Sequence, residues 1–380
     1  MSYFIKNFIK NIRYKLQIVI LILSASFLLI SCYTSPKSDY YRVIAPSKGI
    51  YHSAYPDFTD EEDVVTKEAI QDFIQLAGKG IVWAYFSNNW INGISFPRKE
   101  LETIKDMGIV PFVRLMARST FDEGPDPVYT LQKIIDGVFD RDIINWAKNA
   151  REYNSPIMIE FGTEVNGDWF GWCGANNGGG ETSWYGDPDK PDGPERFVDA
   201  YKHIINIFRV NGVRNVTWAF HVDSHPEPDP YDPEQNAEWN KMANYYPGDD
   251  YIDWIGISVY GAIDFSDDWE SFTEVLDRVW DEFSSISTSK PLAILEWGVM
   301  DNYPGKSKAK WISDALEAIK SGRYPGIKAI SYWNEEWEIE PTNGYNTINL
   351  RIDSSPEVLE AYRNGISSDI FISTANIESE

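Results

Sequence analysis

Apolar and polar positions along this chain fall into eight repeats of one pattern. A short apolar run, mostly introduced by Gly or Pro, is followed in seven of the eight by a longer stretch in which apolar residues recur at helical spacing, and after Asn215–Val222 by a proline-rich loop. The runs are Gly49–Tyr55, Gly80–Phe86, Ile109–Met116, the segment from Pro156 towards Glu164, Asn215–Val222, Tyr251–Tyr260, Pro291–Glu296 and Gly326–Asn334. Helical spacing covers about Glu61–Leu76 with Asp60 as N-cap, Pro97 to the stop at Gly108, Val128–Tyr153, Glu195–Val210, Trp269–Phe283, Ser307–Ser321 and Pro356–Arg363. Buried strands alternating with helices predict an α/β fold, a (β/α)8 TIM barrel in a single domain over residues 46–366. In that architecture the functional face is the C-terminal end of the strands.

The flanks read differently. Residues 1–31 carry Lys6, Lys10, Arg13 and Lys15, then the apolar run Leu16–Ile30, which is short for a membrane span. The run ends at LLISC, which resembles a bacterial lipobox and implies cleavage before Cys32, acylation of its thiol and a lipid anchor in the cell envelope. Residues 32–45 then form a tether and 367–380 a C-terminal tail. A Gly-, Asp- and Pro-rich insertion between Gly174 and Pro194 is too broken for regular structure and is expected to wall one end of a cleft.

Charge narrows the partners. The net charge is −24, and −28 once residues 1–31 are removed, which repels phosphate backbones and argues against nucleic acid. A neutral polysaccharide is indifferent to it. With 15 Trp the chain holds more aromatic surface than a core needs, so some rings are expected to line a cleft.

Chemistry concentrates at two strand ends. PIMIEFGTEVNGDWFGWCG, Pro156–Gly174, starts as a buried strand and then presents Glu164, Asn166, Asp168, Trp169 and Trp172. PLAILEWGV, Pro291–Val299, repeats the design with Glu296, 132 residues further on. A carboxyl ending a buried strand is costly unless used, and glycoside hydrolysis generally takes two, one on each side of the scissile bond. The aromatic surroundings of Glu164 suit a general acid; Glu296 needs hydrogen bonds that keep it ionised, and Tyr260 at the end of the sixth strand is placed to donate one. Trp333, Trp169, Trp172, Trp218 and Trp90 are candidate sugar platforms, with Asn166 and His221 as polar contacts.

GTEVNGDWFGW resembles the acid/base motif of glycoside hydrolase family 26, and LAILEWG is similar to the nucleophile strand of that family. NYYPGDDYIDWIGISVY and KAISYWN resemble later parts, so the likeness covers about Gly49–Trp337. It implies a retaining, endo-acting barrel enzyme with Glu164 as acid/base and Glu296 as nucleophile, without a cofactor. The family acts mainly on β-mannans, with some members cutting mixed-linkage β-glucan or β-1,3-xylan. Two departures bear on substrate: Thr163 stands where many members have His, and Glu160 where they have Arg. The Ser-Val-Tyr of strand six likewise replaces an Asp-containing form.

Two other readings stay open at this stage. HVDSH groups His221, Asp223 and His225, a donor set of the kind a metal-dependent barrel hydrolase uses, though four His in the chain are few and the prolines that follow oppose a helix presenting both imidazoles. The other is a surface glycan-binding lipoprotein that keeps the tryptophans without catalysis. Cys173 reads as a small apolar filler.

Overall fold

The computed structural model describes residues 37–58, 62–342 and 344–380. The leader, Cys32 and Asp60 lie outside the described residues. A short strand β1 (Tyr41–Ile44) precedes eight parallel strands: β2 (Ile50–Tyr55), β3 (Trp83–Asn89), β4 (Val110–Met116), β5 (Ile157–Phe161), β6 (Val216–Asp223), β7 (Trp254–Tyr260), β8 (Leu292–Gly298) and β9 (Ile327–Trp333). Each pairs with the next, and β9 returns to β2 in register from Tyr51↔Ala329 to Tyr55↔Trp333, so the sheet closes. Nearly every residue of these strands is buried, because both sheet faces are covered, and that is why they read as apolar runs rather than alternations.

The outer layer holds α1 (Lys67–Ala77), α2 (Arg98–Lys105), α3 (Leu131–Ile135), α4 (Asp140–Tyr153), α5 (Asp192–Val210), α6 (Phe272–Ser285), α7 (Lys308–Lys320) and α8 (Pro356–Ile366). Helix α1 starts later than its pattern predicts, at the Thr66 cap, whose hydroxyl accepts from the Ala69 N–H. The span Val128–Tyr153 is two helices, with Gly137 at φ +74° between them. No α-helix links β6 to β7; Pro226, Pro228, Pro230 and Pro233 leave only two 3₁₀ turns, Glu238–Asn240 and Met242–Tyr245.

Near the N-terminal ends of β2, β3 and β7, Tyr51, Trp83 and Trp254 pack ring against ring at 6.0–6.1 Å and fill the bottom of the barrel. The opposite mouth is overhung by an antiparallel hairpin, β10 (Glu336–Thr342) and β11 (Tyr345–Asn349). Its return is pinned by Lys308, whose Nζ donates to Asn349 O, Arg351 O and Ser354 Oγ at 2.8–3.1 Å.

The spans expected as tether and tail carry short paired strands. Strand β12 (Phe371–Ile372) lies along β2, and β13 (Asn376–Ser379) pairs antiparallel with β1. The Trp254 indole donates to Val43 O at 2.7 Å, which binds β1 to the foot of β7. Among the described residues no helix is long and apolar enough to cross a membrane.

Candidate active site

The C-terminal mouth opens into a cleft of about 930 Å³ that holds Glu164, Glu296, Tyr260, Trp169 and Trp333. Two local distortions aim the glutamates. After β5 the chain turns sharply, with Gly162 at φ +68° and Glu164 itself at φ +52°. A side chain in the left-handed region costs on the order of 1 kcal/mol or more and persists only where the surroundings demand it. Here Gly167 lets Trp169 fold back over the turn: a Cβ at Gly167 would sit 2.5 Å from the indole ring. The indole Nε1 then donates to Glu164 Oε2 at 3.1 Å.

Glu296 is aimed by an extra residue in its strand. Ile257 faces Ile294 but Ser258 faces Glu296, so Leu295 is bulged. Gly256 makes the space, since a Cβ there would lie 2.2 Å from Leu295 Cδ1. Glu296 is 4% exposed; Oε2 accepts from the Tyr260 hydroxyl at 2.9 Å, as the strand-end geometry predicts, while Oε1 has no hydrogen-bond partner. Burial, opposed by Arg114 and reinforced by Glu164, pushes its carboxyl up to about 7. The sequence reading asked only for hydrogen bonds that keep Glu296 ionised and did not weigh the depth at which it sits.

Arg114, on β4, is the functional group that sequence reasoning missed. It is 4% exposed, lies 3.7 Å from Glu296 Oε1 and 3.7 Å from Glu62, and holds its guanidinium carbon 4.8 Å from the Trp333 ring centre. Its Nε and Nη1 have no hydrogen-bond partner although both are buried. The signal was a charge inside the run IVPFVRLM, which is expensive unless it serves a site. Its neighbours include Glu335, which accepts from the Trp333 indole at 2.6 Å and is pushed up to about 8 by burial and then by Glu62.

Beneath Glu296, His221 joins the two departures, Glu160 on β5 and Thr163 in the turn after it. Its Nδ1 meets Thr163 Oγ1 at 2.9 Å and Glu160 Oε2 at 3.0 Å, and its Nε2 meets Ser258 Oγ at 2.9 Å. The Tyr85 hydroxyl donates to the other oxygen of Glu160. Burial pulls the imidazole down, but the Glu160 carboxylate outweighs it and the net shift is upward. The Arg and His that the resemblance expects around β5 thus have counterparts in Arg114 on β4 and His221 on β6, the strands on either side.

Five sequence candidates do not reach the cleft as sugar contacts. Trp172 is 1% exposed, donates to Thr163 O at 2.8 Å and supports Phe170 in a stack at 4.5 Å. Trp218 points outward from β6 onto Tyr201 and Phe208 of α5, and Trp90 packs on Tyr129 and Phe161. Asn166 is fully buried, bonding the Asp223 backbone through both ends of its amide. His221 is taken up below the floor. The insertion at 174–194 contributes no wall; Glu123, Glu227, Asp267, Asp268 and Glu270 on other loops do, with Trp337 of the hairpin.

His221 and His225 diverge, the second reaching Glu270 Oε2 at 3.0 Å. Among the described residues, the group that brings three potential ligand atoms within 4.8 Å is Glu160, His221 and Glu296. Both imidazole nitrogens there already carry hydrogen bonds, which fits a packed polar network better than a metal centre.

A closed (β/α)8 barrel with two glutamates and aromatic rings at its C-terminal mouth is the plan of the barrel glycoside hydrolases. Residues 126–285 match the model of glycosyl hydrolase family 26. Endoglucanase H of Acetivibrio thermocellus is 27% identical over 304 residues, which is 79% of this chain but 29% of that protein. A mannan endo-1,4-β-mannosidase of Bacillus subtilis is 23% identical over 285 residues, 73% of this chain and 65% of that protein. The chain therefore spans under a third of the first relative and just under two thirds of the second. In fold it matches the catalytic domain of a Bacillus sp. JAMB-750 endo-β-1,4-mannanase, with TM-score 0.58 and 15% identity over 86% of this chain and 87% of that one.

Proposed function

We propose that this chain is a retaining, endo-acting glycoside hydrolase that cuts internal β-linkages of a neutral polysaccharide, β-mannan or glucomannan first. The observation that carries the reading is the pair itself: Glu296 held by Tyr260 and Arg114, facing Glu164 held by Trp169, in one open cleft. Glu296 attacks the anomeric carbon while Glu164 protonates the departing oxygen, and water then releases the glycosyl-enzyme with Glu164 as base. Trp333 stacks on Tyr55 at 4.1 Å and leaves its cleft side to the sugar. Eleven acids against one arginine among the described residues lining the cleft favour uncharged chains over anionic ones.

Mixed-linkage β-glucan is the second reading. The similarity to an endoglucanase over 79% of the chain favours it, as does Thr163 in place of the usual His beside the cleavage point. Cys32 supports a lipid-anchored form in the bacterial cell envelope, checked by fatty-acid labelling that Cys32→Ser removes.

Reducing-end release from β-mannan, glucomannan, mixed-linkage β-glucan, β-1,3-xylan and β-1,4-xylan, with and without chelator, tests the function. Chelator-resistant oligosaccharides from one polymer are expected. Glu296→Ala should lose turnover and recover it with azide as the inverted glycosyl azide. Glu164→Ala should spare substrates with good leaving groups. Binding without turnover on every polymer would make this a glycan-binding protein, and loss with chelator a metal enzyme.

A further inference from the structure

Asp223 closes β6 beside Glu164 and is 6% exposed at the cleft. Its carboxyl stands next to that of Glu164, the charged group that acts on it most strongly. Two buried acids side by side do not both ionise readily, so one of them tends to keep its proton. The contact is built in. The Asn166 amide accepts from the Asp223 N–H at 2.7 Å and donates to its carbonyl at 2.8 Å, so the tip of β6 is clamped to the turn that carries Glu164. The His225 N–H occupies Asp223 Oδ1 and leaves the other oxygen for the pair.

We propose that Asp223 is a positioning residue that shares with Glu164 the one proton used in both half-reactions. This rests on the retaining-hydrolase reading above. At rest Asp223 holds the proton and donates to the Glu164 carboxylate. The proton crosses to Glu164 and passes to the glycosidic oxygen as the bond from that oxygen to the anomeric carbon breaks and the Glu296 ester forms. In the second step water gives a proton to Glu164 as its oxygen attacks the anomeric carbon and the ester breaks, and the pair is restored.

The direction of charge agrees. Burial, and then Glu164, drives the Asp223 carboxyl well above its ordinary range. Other ionisable groups around it are Glu296 across the cleft, Cys173 beneath, and His225, whose ring is turned away onto Glu270. Shared between two acids, the last proton is lost later than from either alone.

The test is Asp223→Asn, which keeps the shape and a donor but holds no transferable proton. Its basic limb of kcat/KM on polysaccharide should move down by about one pH unit or more. Activity on a dinitrophenyl glycoside, which needs no acid, should change less than threefold. Carbon-13 labelling of Asp carboxyls in the wild type provides a readout independent of how that variant folds. One Asp should stay protonated near neutral pH and titrate lower in Glu164→Gln. An unmoved basic limb with equal loss on both substrates, or no such Asp signal, overturns the proposal. The underlying reading fails separately, if Glu164→Ala itself does not spare the dinitrophenyl substrate.

Discussion

Replacing Arg114 by Met removes the charge that offsets the burial of Glu296. At 3.7 Å and an effective dielectric near 20, the attraction is worth about 4 kcal/mol, or about three pKa units as an upper figure. Opposite charges at this range lower a carboxyl by about one to three units, so we expect the Glu296 carboxyl to rise by about two from its present value near 7. Attack requires the ionised form. The ionised fraction falls tenfold per unit below the pKa, so kcat/KM at pH 6 should drop about 100-fold and recover above about pH 9. The assay is kcat/KM on a dinitrophenyl β-glycoside from pH 5 to 10, where no acid is needed and the lower limb reports Glu296 alone. Arg114→Lys, which keeps a charge, should hold the limb within about one unit of wild type. A Met variant with its limb unmoved would show that Arg114 does not set the ionisation of Glu296.

Two further outcomes follow from the same geometry. Because the folded pKa of Glu296 is raised, the stability it lends is present at acid pH and lost as pH climbs from its ordinary 4.5 through about 7; Glu296→Gln should thus be inactive yet about 3 kcal/mol more stable than wild type at pH 8 and equal at pH 4, by urea unfolding. Trp333→Ala should lower kcat/KM about 10- to 100-fold, while Trp218→Ala should leave KM unchanged and cost about 3–5 kcal/mol of stability, measured by oligosaccharide kinetics and unfolding.

The barrel was legible because strands covered on both faces must be apolar runs, and eight of them, all but one followed by a helix, leave few other folds. Glu164 and Glu296 stood out as acids at the ends of such runs. Direction was harder to see. Trp218 shares neither parity nor face with His221 and Asp223 on β6, so period two already sends it outward, and that test separates platform from core. Trp90 and Trp172 lie in turns, where no period applies, and only packing distinguishes them. Asp223 appeared in the sequence as one of a possible metal group; its place beside Glu164 needs two strands side by side, which spacing along the chain does not report. The hairpin of Glu336–Asn349 had a signal in the Asn-Gly pair at 343–344.

The ribbon formed by β1 and β13 sets Tyr41 opposite Ser379, so the two ends of the barrel domain are neighbours on the side away from the cleft. Topologically the fold is a ring lacking one short link. Joining the ends there and cutting the chain at an outer loop would renumber every residue while leaving the cleft untouched. The order in which the ribosome delivers the strands is then separable from the order in which they surround the substrate.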